Sequence, residues 1–303
     1  MKLSSFKPSH WKNGIWNRMV MYSCPFLSDE SFLKLKFKHC VGYSLNLYNP
    51  QTFSEKIQWL KLYNRRPEFT IMVDKFEAKK YVAGIIGEEY IIPTLQIYSS
   101  MEEIDFDTLP RQFVLKCTHN SGCGMYICRD KLAMDEVKVR KSLRKGLRED
   151  YFIKTREWPY KNVPRRIIAE QYMSDIGLDL VDYKFFCFGG KAEYCQVITN
   201  RSTNETIDFY DREWNHLPFI GLMSTAQNAP TAQKAPIKYN QMVAIADKLA
   251  ERINTPFVRI DLYNFSGKIY FGEITFFPLS GMGVFTPLEW NLKLGNMLYL
   301  PIQ

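Results

Sequence analysis

Apolar residues recur at helical spacing over the first 90 residues of the chain. The clearest helix start is Thr52, because Glu55 follows three residues later and the two form the pattern of a capping box. A second helix is predicted to begin near Pro67, since proline fits a first helical turn, and to weaken at Gly84 and Gly87. The pattern therefore predicts a mainly helical N-terminal region.

From about residue 90 the spacing changes to the alternation and the short apolar runs that are typical of β-strands. Gly189 and Gly190 separate two such runs and predict a hairpin. Strands and helices mix without a regular strand–helix repeat, which predicts an α+β protein with largely antiparallel sheets. The predicted strands are 90–95, 111–117, 125–128, 166–170, 182–188, 192–199, 256–263 and 268–276, and the predicted helices are 135–148, 239–252 and 292–298.

The composition narrows the class of protein. The 303 residues are 46% hydrophobic and 24% charged, which excludes a disordered chain, a collagen and a disulfide-stabilised miniprotein. No run of about 18 apolar residues occurs, so no transmembrane helix is predicted. The first residues lack the apolar region of a secretory signal. The 7 cysteines are scattered without a CxxC pair, which predicts reduced thiols in a cytoplasmic protein.

The charge is unevenly distributed along the chain. Lysine and arginine number 40 against 32 acidic residues, a formal net charge of +8. One basic cluster lies within residues 1–50 and a second within residues 138–148. Such a bias predicts a polyanionic partner: nucleic acid, acidic lipid or an acidic substrate. No zinc-finger spacing or RNA-binding motif is present, so a nucleic acid is not favoured.

An apolar stripe lies within the first basic cluster. Its members recur at helical spacing between basic residues. Two interpretations stay open: a helix docked on the protein's own core, and an interfacial helix at a membrane surface. The stripe consists of Trp11, Ile15, Trp16, Met19 and Val20.

Charged and hydroxyl side chains alternate along the last two predicted strands. Arg259 and Asp261 share one face of the first strand, because alternate residues point the same way. Glu273 and Thr275 share a face of the second. A five-residue loop would pair Arg259 with Glu273, and Asp261 with Phe271, which places all four polar side chains together. Two carboxylates and a hydroxyl beside an arginine suit Mg²⁺, although an ordinary solvent-facing ion-pair ladder also fits.

A second candidate for chemistry is the loop after the strand that ends near Lys116. This loop contains Gly122 and Gly124. Glycines let backbone N–H groups approach a phosphate closely, and a lysine adds positive charge. The loop lacks the GxxxxGK[ST] pattern, so a Walker-type fold is not favoured. A phosphate-binding loop and a simple hairpin turn both fit the sequence.

A third candidate is the strand end at Glu170. A strand that ends in a polar–apolar hinge can bind adenine through backbone groups, while Tyr172 and Met173 cover the face of the base. Asp182 lies a short way further along the chain, where a carboxylate can bind ribose hydroxyls. The alternative is a buried strand followed by an ordinary loop.

The order of these segments resembles the ATP-grasp fold, in which two α+β lobes clamp ATP and a carboxylate is activated as an acyl phosphate. Residues 73–79 look like the family's helix whose lysine, Lys75 in this chain, meets the ATP phosphates. Lys116 resembles the second phosphate lysine before the flexible glycine loop. Residues 168–173 look like the adenine hinge, and Asp182 lies near the position of the ribose-binding carboxylate.

The C-terminal half continues the resemblance. Asp182-Tyr-Lys184 is similar to the Asp-x-Arg strand of the glutamate-ligase branch of the fold. Arg259-Ile-Asp261 and Glu273-Ile-Thr275 look like the paired motifs of its metal site. Residues 278–281, with Pro278 and Ser280, stand where the family has a small-residue loop.

Within this fold the chain resembles the TupA-like branch over roughly residues 45–300, through residues 52–62, 156–161 and Glu289-Trp290. Proteins of that branch are associated with the synthesis of bacterial capsule, O-antigen or teichuronopeptide. The chain departs from the fold's pattern at two positions. Thr275 stands where the third metal ligand is usually Asn, and Cys123 replaces the common small hydroxyl of the glycine loop.

The resemblance implies a role for each residue of the expected site. Arg259 and Lys184 are expected to be catalytic, and Asp261, Glu273 and Thr275 are the expected metal ligands. The expected cofactors are ATP and Mg²⁺, with Mn²⁺ as a substitute. The expected cofactor-binding residues are Lys75, Lys116, Gly122, Gly124, Glu170, Gln171, Tyr172, Met173 and Asp182. The expected substrate-binding residues are Arg165, Arg166, Trp158 and Ser280.

The resemblance also implies a domain division: a helical region at 1–90, a small lobe with the glycine loop at 91–165, and a large lobe with the metal site at 166–303. The expected activity is that of an ATP-dependent carboxylate–amine ligase. It would join an amine donor to an acidic sugar or glycan acceptor, such as a uronic-acid-containing precursor of capsule, O-antigen or teichuronic polymer.

Two alternatives stay open at this stage. One is an ATP-dependent phosphotransferase on the same scaffold. The other is a glycosyltransferase or a non-catalytic module of polysaccharide assembly. The expected location is the cytoplasm, with peripheral contact between the basic N-terminus and the inner face of the membrane, and no nucleic-acid partner is expected.

Overall fold

The structure is a computed structural model that describes residues 26–173, 180–201, 203–222, 227–265 and 267–301. The apolar stripe from Trp11 to Val20 lies outside these residues. The helices are α1 (Asp29–Val41), α2 (Phe53–Tyr63), α3 (Phe69–Val73), α4 (Glu77–Ile86), α5 (Glu136–Arg148), α6 (Tyr151–Thr155), α7 (Tyr239–Ile253) and α8 (Glu289–Met297). The strands are β1 (Thr94–Tyr98), β2 (Phe113–Cys117), β3 (Met125–Cys128), β4 (Ile167–Gln171), β5 (Asp182–Phe188), β6 (Lys191–Thr199), β7 (Thr206–Asp211), β8 (His216–Leu217), β9 (Ile220–Leu222), β10 (Phe257–Phe265), β11 (Lys268–Thr275) and β12 (Val284–Thr286).

Two antiparallel sheets form the framework, and the predicted α+β class is confirmed. The small sheet has four strands in the order β1-β4-β2-β3, and the large sheet has six in the order β11-β10-β5-β6-β7-β8. Strands β9 and β12 pair separately. The hairpins β5–β6 and β10–β11 are those predicted. Strands β7, β8, β9 and β12 were not predicted. Strands β8, β9 and β12 have two or three residues, too few to show an alternation, whereas β7 has six and was missed.

The hydrophobic core is divided between the two sheets. The larger cluster joins α2, α7 and α8 to the large sheet, and Phe53 of α2 packs 4.9 Å from the ring of Phe257 in β10. The smaller cluster lies between the small sheet and α5, where Phe113 and Leu115 meet Leu143. Helix α2 therefore shares a core with the large sheet, although it lies far from that sheet in sequence.

The N-terminal helices confirm one prediction and correct another. At the start of α2 the Thr52 hydroxyl accepts from the Glu55 N–H, and the Glu55 carboxylate accepts from the Thr52 N–H, so the capping box is present. The single helix predicted after Pro67 is wrong, because α3 ends at Val73 and α4 begins at Glu77. The intervening Asp74 is extended, and its Oδ1 accepts from the Glu77 N–H, which starts a new helix.

Helix α5 confirms the predicted basic amphipathic helix. Asp135 caps it, and Val139, Leu143 and Gly146 are buried against the small sheet. Its basic side chains lie mainly on the exposed side. Among the described residues, no helix has both the length and the apolar character needed to cross a membrane.

Candidate active site

Strands β10 and β11 place the polar residues of the predicted metal site on one face of the large sheet. Arg259 lies opposite Thr275, and Asp261 lies opposite Glu273. The predicted pairing of Arg259 with Glu273 is therefore wrong by two residues. The shared face is nevertheless present, because directly opposed residues of an antiparallel pair point to the same side.

This register depends on a β-bulge at Gly272. From the hairpin turn, a regular ladder reaches Leu262 opposite Phe271. One step further, the same ladder would put Asp261 opposite Gly272 and would turn Glu273 to the other face of the sheet. The extra residue in β11 shifts the pairing, so that Asp261 meets Glu273. The hairpin turn between β10 and β11 is shorter than predicted, and this alone would place Glu273 on the opposite face from Asp261. The extra residue in β11 returns Glu273 to the face of Asp261.

One guanidinium connects all of these groups. Arg259 Nε lies 2.6 Å from Asp261 Oδ1, and Arg259 Nη2 lies 2.8 Å from Asp261 Oδ2. The same Nη2 lies 3.0 Å from Glu273 Oε1 and 3.1 Å from Thr275 Oγ1. Lys184 Nζ also contacts Asp261 Oδ2. The oxygens that the sequence predicted as metal ligands are therefore gathered around two cationic side chains.

Asp182 and Lys184 extend this cluster along β5. Lys184 lies opposite Asp261 in the sheet, and its Nζ is 3.4 Å from Asp182 Oδ1. Asp182 Oδ2 accepts from Arg201 Nε at 2.8 Å. Arg201 was not predicted, because no sequence motif marks it. The predicted ribose carboxylate thus lies beside the predicted metal site and already has two cationic partners.

The two central carboxylates differ in their electrostatics. Burial raises the pKa of Asp261, and the neighbouring charge of Glu273 raises it further. Burial would also raise the pKa of Glu273, but Lys184, Lys75 and Arg259 together lower it to about 2. Glu273 is therefore ionised at neutral pH and offers anionic oxygens to a ligand.

The open face of the small sheet carries a second ionic cluster. Glu170 of β4 lies between two lysines: Lys79 Nζ is 2.5 Å from Oε1, and Lys116 Nζ contacts Oε2. Lys79 also donates to the Ile92 carbonyl at 2.8 Å, so α4 is tied to the sheet. Burial would raise the pKa of Glu170, but the two lysines lower it. Lys79 was not among the predicted site residues, although it stands at the end of the segment 73–79 that the resemblance singled out.

Exposed apolar side chains flank Lys116 on this face. Met125 lies opposite Lys116, and Ile127 lies opposite Val114, which in turn lies opposite Glu170. Met125 and Ile127 are 53% and 43% exposed. Aliphatic side chains beside a lysine suit the face of a purine base next to its phosphates. In the sequence, this exposed apolar surface is indicated by a short strand, Met125-Tyr-Ile-Cys128, in which polar and apolar residues do not alternate.

Lys75 lies between the two sheets, in the bend that separates α3 from α4. Its Nζ donates to the Asn120 carbonyl at 2.5 Å, and its N–H donates to the Thr118 carbonyl. Lys75 lines a small hollow together with Glu273 of the large sheet and Tyr160. Burial lowers the pKa of Lys75, and the charge of Glu273 opposes that change. Lys75 therefore connects the glycine loop to the acidic cluster.

The two loop glycines have different surroundings. Both have positive φ, +82° at Gly122 and +68° at Gly124. A Cβ at Gly124 would lie 2.5 Å from Cys117 Sγ and 2.8 Å from Gly146 Cα of helix α5. A Cβ at Gly122 would meet nothing within 4 Å. Gly124 is thus required for packing on α5, whereas Gly122 borders open space.

The predicted adenine hinge follows β4. The N–H of Gln171 donates to the Pro93 carbonyl at 3.0 Å, which joins the strand end to the segment before β1. The Tyr172 hydroxyl accepts from Arg129 Nε at 3.3 Å. Met173 follows and is half-buried. These residues continue the strand on which Glu170 meets Lys116.

The predicted substrate residues before β4 have separate surroundings. Arg166 Nη2 lies 2.7 Å from Asp74 Oδ2 and therefore ties β4 to the bend between α3 and α4. Arg165 Nη1 donates to the Leu147 carbonyl, and its side chain lines a hollow beside α5. Trp158 is half-buried at the start of a short 3₁₀ turn. The structure does not gather these three side chains around the acidic cluster.

The fourth predicted substrate residue, Ser280, lies in a left-handed turn after β11. Leu279, Ser280 and Gly281 have φ values of 45°, 58° and 63°. Lys61 Nζ donates to the Ser280 carbonyl and hydroxyl, each at 2.6 Å, and Gln58 donates to the carbonyls of Ser280 and Gly281. The turn is strained for non-glycine residues and is held by α2. The Ser280 hydroxyl therefore already has a buried partner.

Comparisons with known proteins identify the family of the chain. A family model described as TupA-like ATPgrasp matches residues 55–299. No curated protein matches the chain. Among solved structures, the chain is similar to D-alanine–D-alanine ligase from Bacillus anthracis complexed with ATP, with 16% identity over 68% of this chain and 53% of that chain and a TM-score of 0.38.

Two further solved structures are similar to the chain. D-alanine–D-alanine ligase from Helicobacter pylori shares 14% identity over 82% of this chain and 69% of that chain, with a TM-score of 0.42. N5-carboxyaminoimidazole synthetase from Staphylococcus aureus, complexed with ADP, shares 14% identity over 74% and 52%, with a TM-score of 0.36. The chain spans about half the length of the Bacillus anthracis and Staphylococcus aureus proteins.

Proposed function

The chain belongs to the TupA-like ATP-grasp family, and we propose that it is an ATP-dependent ligase that joins a carboxylate to an amine. The observation that carries the proposal is the position of Lys75. This lysine, predicted to bind phosphate, lines one hollow with Glu273, and Glu273 shares Arg259 with Asp261. Cationic groups for phosphates and anionic oxygens for a metal ion thus meet in one place.

The donor set fits Mg²⁺. Among the described residues there is no group of three or more His, Cys, Asp or Glu side chains arranged to hold a metal ion. Mg²⁺ commonly takes one or two carboxylates and completes its shell with water and substrate phosphates. Asp261 and Glu273 would supply the two carboxylates and Thr275 a hydroxyl oxygen, and Mn²⁺ accepts the same oxygens. Arg259 and Lys184 contact these oxygens in the structure and would have to shift for a metal ion to bind.

The chain's own residues account for the first half of the reaction. Bound Mg²⁺ supplies charge neutralisation at the β- and γ-phosphates. Lys75 and Lys116 bind phosphate oxygens, while Met125 and Ile127 cover the base. A substrate carboxylate oxygen attacks the γ-phosphorus in line, the bond to the β-phosphate oxygen breaks, and ADP leaves. The product of this step is an acyl phosphate.

The second half forms the amide. The guanidinium of Arg259 donates to oxygens of the acyl phosphate, because its planar fork suits carboxylate and phosphate groups. Lys184 adds a second positive charge from the neighbouring strand. The amine attacks the carbonyl carbon, a C–N bond forms, inorganic phosphate leaves, and the amine loses a proton. No covalent intermediate with the protein is required.

The net charge of the chain and its family resemblance support a proposal for the substrate class. A net charge of +8 favours an acidic acceptor. We propose that this acceptor is a uronic-acid-containing sugar or glycan, a precursor of a surface polysaccharide such as capsule, O-antigen or teichuronic polymer, and that the donor is an amino acid or another amine. The proposed location is the cytoplasm, and no nucleic-acid partner is proposed.

The test is ADP release from ATP and Mg²⁺ by the purified protein, with pooled uronic acids and pooled amino acids each added and withheld. We expect ADP and phosphate to form only when both pools are present. Glu273→Gln keeps the shape of the side chain but removes its charge, and should lower the rate by about 1,000-fold or more. Glu213→Gln, at an exposed glutamate away from the site, is the matched control and should keep the wild-type rate.

Three results would contradict the proposal. ADP formation without an amine, accompanied by a phosphorylated hydroxyl acceptor, would identify a phosphotransferase. Consumption of a nucleotide sugar without ATP would identify a glycosyltransferase. Absence of ATP binding by calorimetry would identify a non-catalytic module. A normally active Glu273→Gln variant would overturn the metal-site assignment while leaving the ligase reaction open to a different set of ligands.

A further inference from the structure

Helix α5 carries much of the positive charge of the small lobe on one side. At 100° per residue, its exposed basic residues fall within an arc of about 120°. The buried residues Val139, Leu143 and Gly146 lie on the opposite side, against the small sheet. We name this exposed arc the basic face. It consists of Lys138, Lys141, Arg144, Lys145 and Arg148.

Most of the charge on the basic face has no internal counterion. Among the described residues, Lys141, Lys145 and Arg148 have no carboxylate within 4.0 Å. Lys138 and Arg144 each contact one carboxylate that is itself exposed, and such surface pairs exchange readily with other anions. The face is therefore free to bind an external polyanion.

A hollow of about 280 Å³ adjoins the basic face. Three arginines line it, Arg144 and Arg148 from α5 and Arg165 from the segment before β4. Two of them also contact exposed carboxylates, since Arg144 lies 3.4 Å from Glu102 and Arg165 lies 3.5 Å from Asp150. Ser99 and Ser100 contribute hydroxyls at the same hollow. Arginine forks and serine hydroxyls are donors suited to a phosphodiester. The remaining lining residues are Met101, Glu102 and Leu147.

The basic face also exposes aliphatic side chains. Val137 is 78% exposed and lies within the arc, at an angle between those of Arg144 and Arg148. Leu132, in the 3₁₀ turn just before α5, is 87% exposed. A hydrated glycan or an inorganic anion gains nothing from such side chains. A lipid interface does, because it accepts basic head-group contacts and apolar insertion together.

We propose that the basic face of α5, with Val137 and Leu132, docks the protein on an anionic phospholipid surface. The hollow lined by Arg144, Arg148 and Arg165 takes a lipid phosphate. This surface is distinct from the basic N-terminal segment and does not depend on the proposed ligase reaction.

Because of the position of α5, the protein can dock on a membrane while the face of the small sheet that bears Lys116 stays open. Helix α5 covers the side of the small sheet that bears Phe113 and Leu115. Lys116 and Met125 point to the opposite side, because neighbouring residues of a strand alternate. A bilayer that contacts α5 therefore leaves the cluster around Lys116 and Glu170 accessible. The protein could act on substrates at the membrane surface without first detaching.

The test is co-sedimentation of the full chain with phosphatidylcholine vesicles, with and without phosphatidylglycerol, at low and high salt. We expect binding only to the anionic vesicles and weaker binding at high salt. The triple variant Lys141→Gln, Lys145→Gln, Arg148→Gln should bind about 100-fold more weakly, since each basic residue near an anionic surface contributes about a fivefold factor. The matched control replaces three exposed lysines elsewhere, Lys234→Gln, Lys248→Gln, Lys293→Gln, and should bind as the wild type does.

A second pair of variants separates a membrane from a soluble polyanion. Leu132→Asn and Val137→Asn should reduce vesicle binding several-fold without changing the retention of polygalacturonate. Equal vesicle binding by the triple variant and the wild type would overturn the proposal, and so would no binding of the wild type to anionic vesicles. If the two asparagine variants bind vesicles normally while the wild type prefers polygalacturonate, the basic face is a glycan site and the membrane assignment is wrong.

Discussion

The two sheets each hold a buried carboxylate between two cationic side chains, yet the pKa values of the two carboxylates are shifted in opposite directions. On the small sheet, the flanking lysines outweigh burial and lower the pKa of Glu170. On the large sheet, an arginine and a lysine flank Asp261, but burial and the second carboxylate, Glu273, raise its pKa. The difference arises from crowding, because Asp261 shares its cations with a like charge and Glu170 does not.

The same difference appears in the balance of charge. Around the small sheet, two lysines face one glutamate, and Lys75 lies between this cluster and Glu273. Around the large sheet, three carboxylates face three cations. The first region has spare positive charge and is suited to an anion as it stands, whereas the second would have to release an internal ion pair before binding a metal ion. The residues are Lys79, Lys116 and Glu170 for the first region, and Asp182, Asp261, Glu273, Lys184, Arg201 and Arg259 for the second.

The largest effect is expected from Arg259→Met, which breaks the balanced region. The substitution keeps an unbranched side chain but leaves Asp261 and Glu273 without their shared buried counterion. Removing one partner of a buried pair typically costs about 3–5 kcal/mol. We expect a loss of about 3 kcal/mol in the free energy of unfolding, measured by urea titration at neutral pH, because Lys184 still contacts Asp261.

The control for this prediction is an ion pair at the surface. Asp247→Asn breaks the pair with Arg212, whose side chain is 33% exposed. Water replaces the lost contacts there, so the expected loss is about 1 kcal/mol. If the two variants lost equal stability, the internal pairing around Asp261 would not be a buried one.

A smaller effect, on binding rather than stability, is expected from Lys116→Ala in the region with spare charge. Hydrogen bonds to charged groups contribute about 1.5–3 kcal/mol, so ATP affinity by calorimetry should fall roughly 10- to 100-fold. Stability should fall by less than about 3 kcal/mol, since Lys116 is partly exposed and Glu170 keeps its contact with Lys79. Lys141→Ala, at an exposed lysine of α5, is the control and should bind ATP normally. An unchanged ATP affinity in Lys116→Ala would contradict its phosphate role.

Of the two ionic clusters, the sequence predicted more of the one on the large sheet, although it missed two strands of that sheet, β7 and β8. The spacing in Arg259-Ile-Asp261 and Glu273-Ile-Thr275 was sufficient to place their side chains on one face, because strand alternation is local. The register was not predictable from the hairpin alone. It depends on a short turn and on the bulge at Gly272, and either of these alone would send Glu273 to the wrong side.

The partners that hold the site together come from distant parts of the chain. Lys79 reaches Glu170 from another element, and Lys61 reaches Ser280 across 219 residues. Arg166, predicted to bind substrate, instead pairs with Asp74. Charge and residue type alone do not show which oppositely charged or polar group each of these side chains contacts. That depends on the tertiary structure. Roles in catalysis and binding stay predictions until variants are measured.

The smallest effect expected is the dependence of stability on Glu170 at acid pH. The pKa of Glu170 is lower in the folded protein than its ordinary value of 4.5. Its ionised form therefore stabilises the fold above about pH 4.5, and this contribution is lost as the pH falls through the lowered pKa. Glu170→Gln has no such contribution. The difference in unfolding free energy between wild type and variant should be constant near neutral pH and should shrink below about pH 4.5. The total decrease should be about 1 kcal/mol for every pH unit by which the pKa of Glu170 lies below 4.5.

Glu213→Gln is the matched control for this experiment, because Glu213 is exposed. Urea titrations at a series of pH values from neutral to acid measure both differences, and contributions common to wild type and variant cancel from each. The Glu213→Gln difference should be the smaller one, because water solvates an exposed side chain. A difference for Glu170→Gln that grows as the pH falls would mean that burial outweighs the two lysines. Glu170 would then resemble Asp261, and the proposed contrast between the two sheets would be wrong.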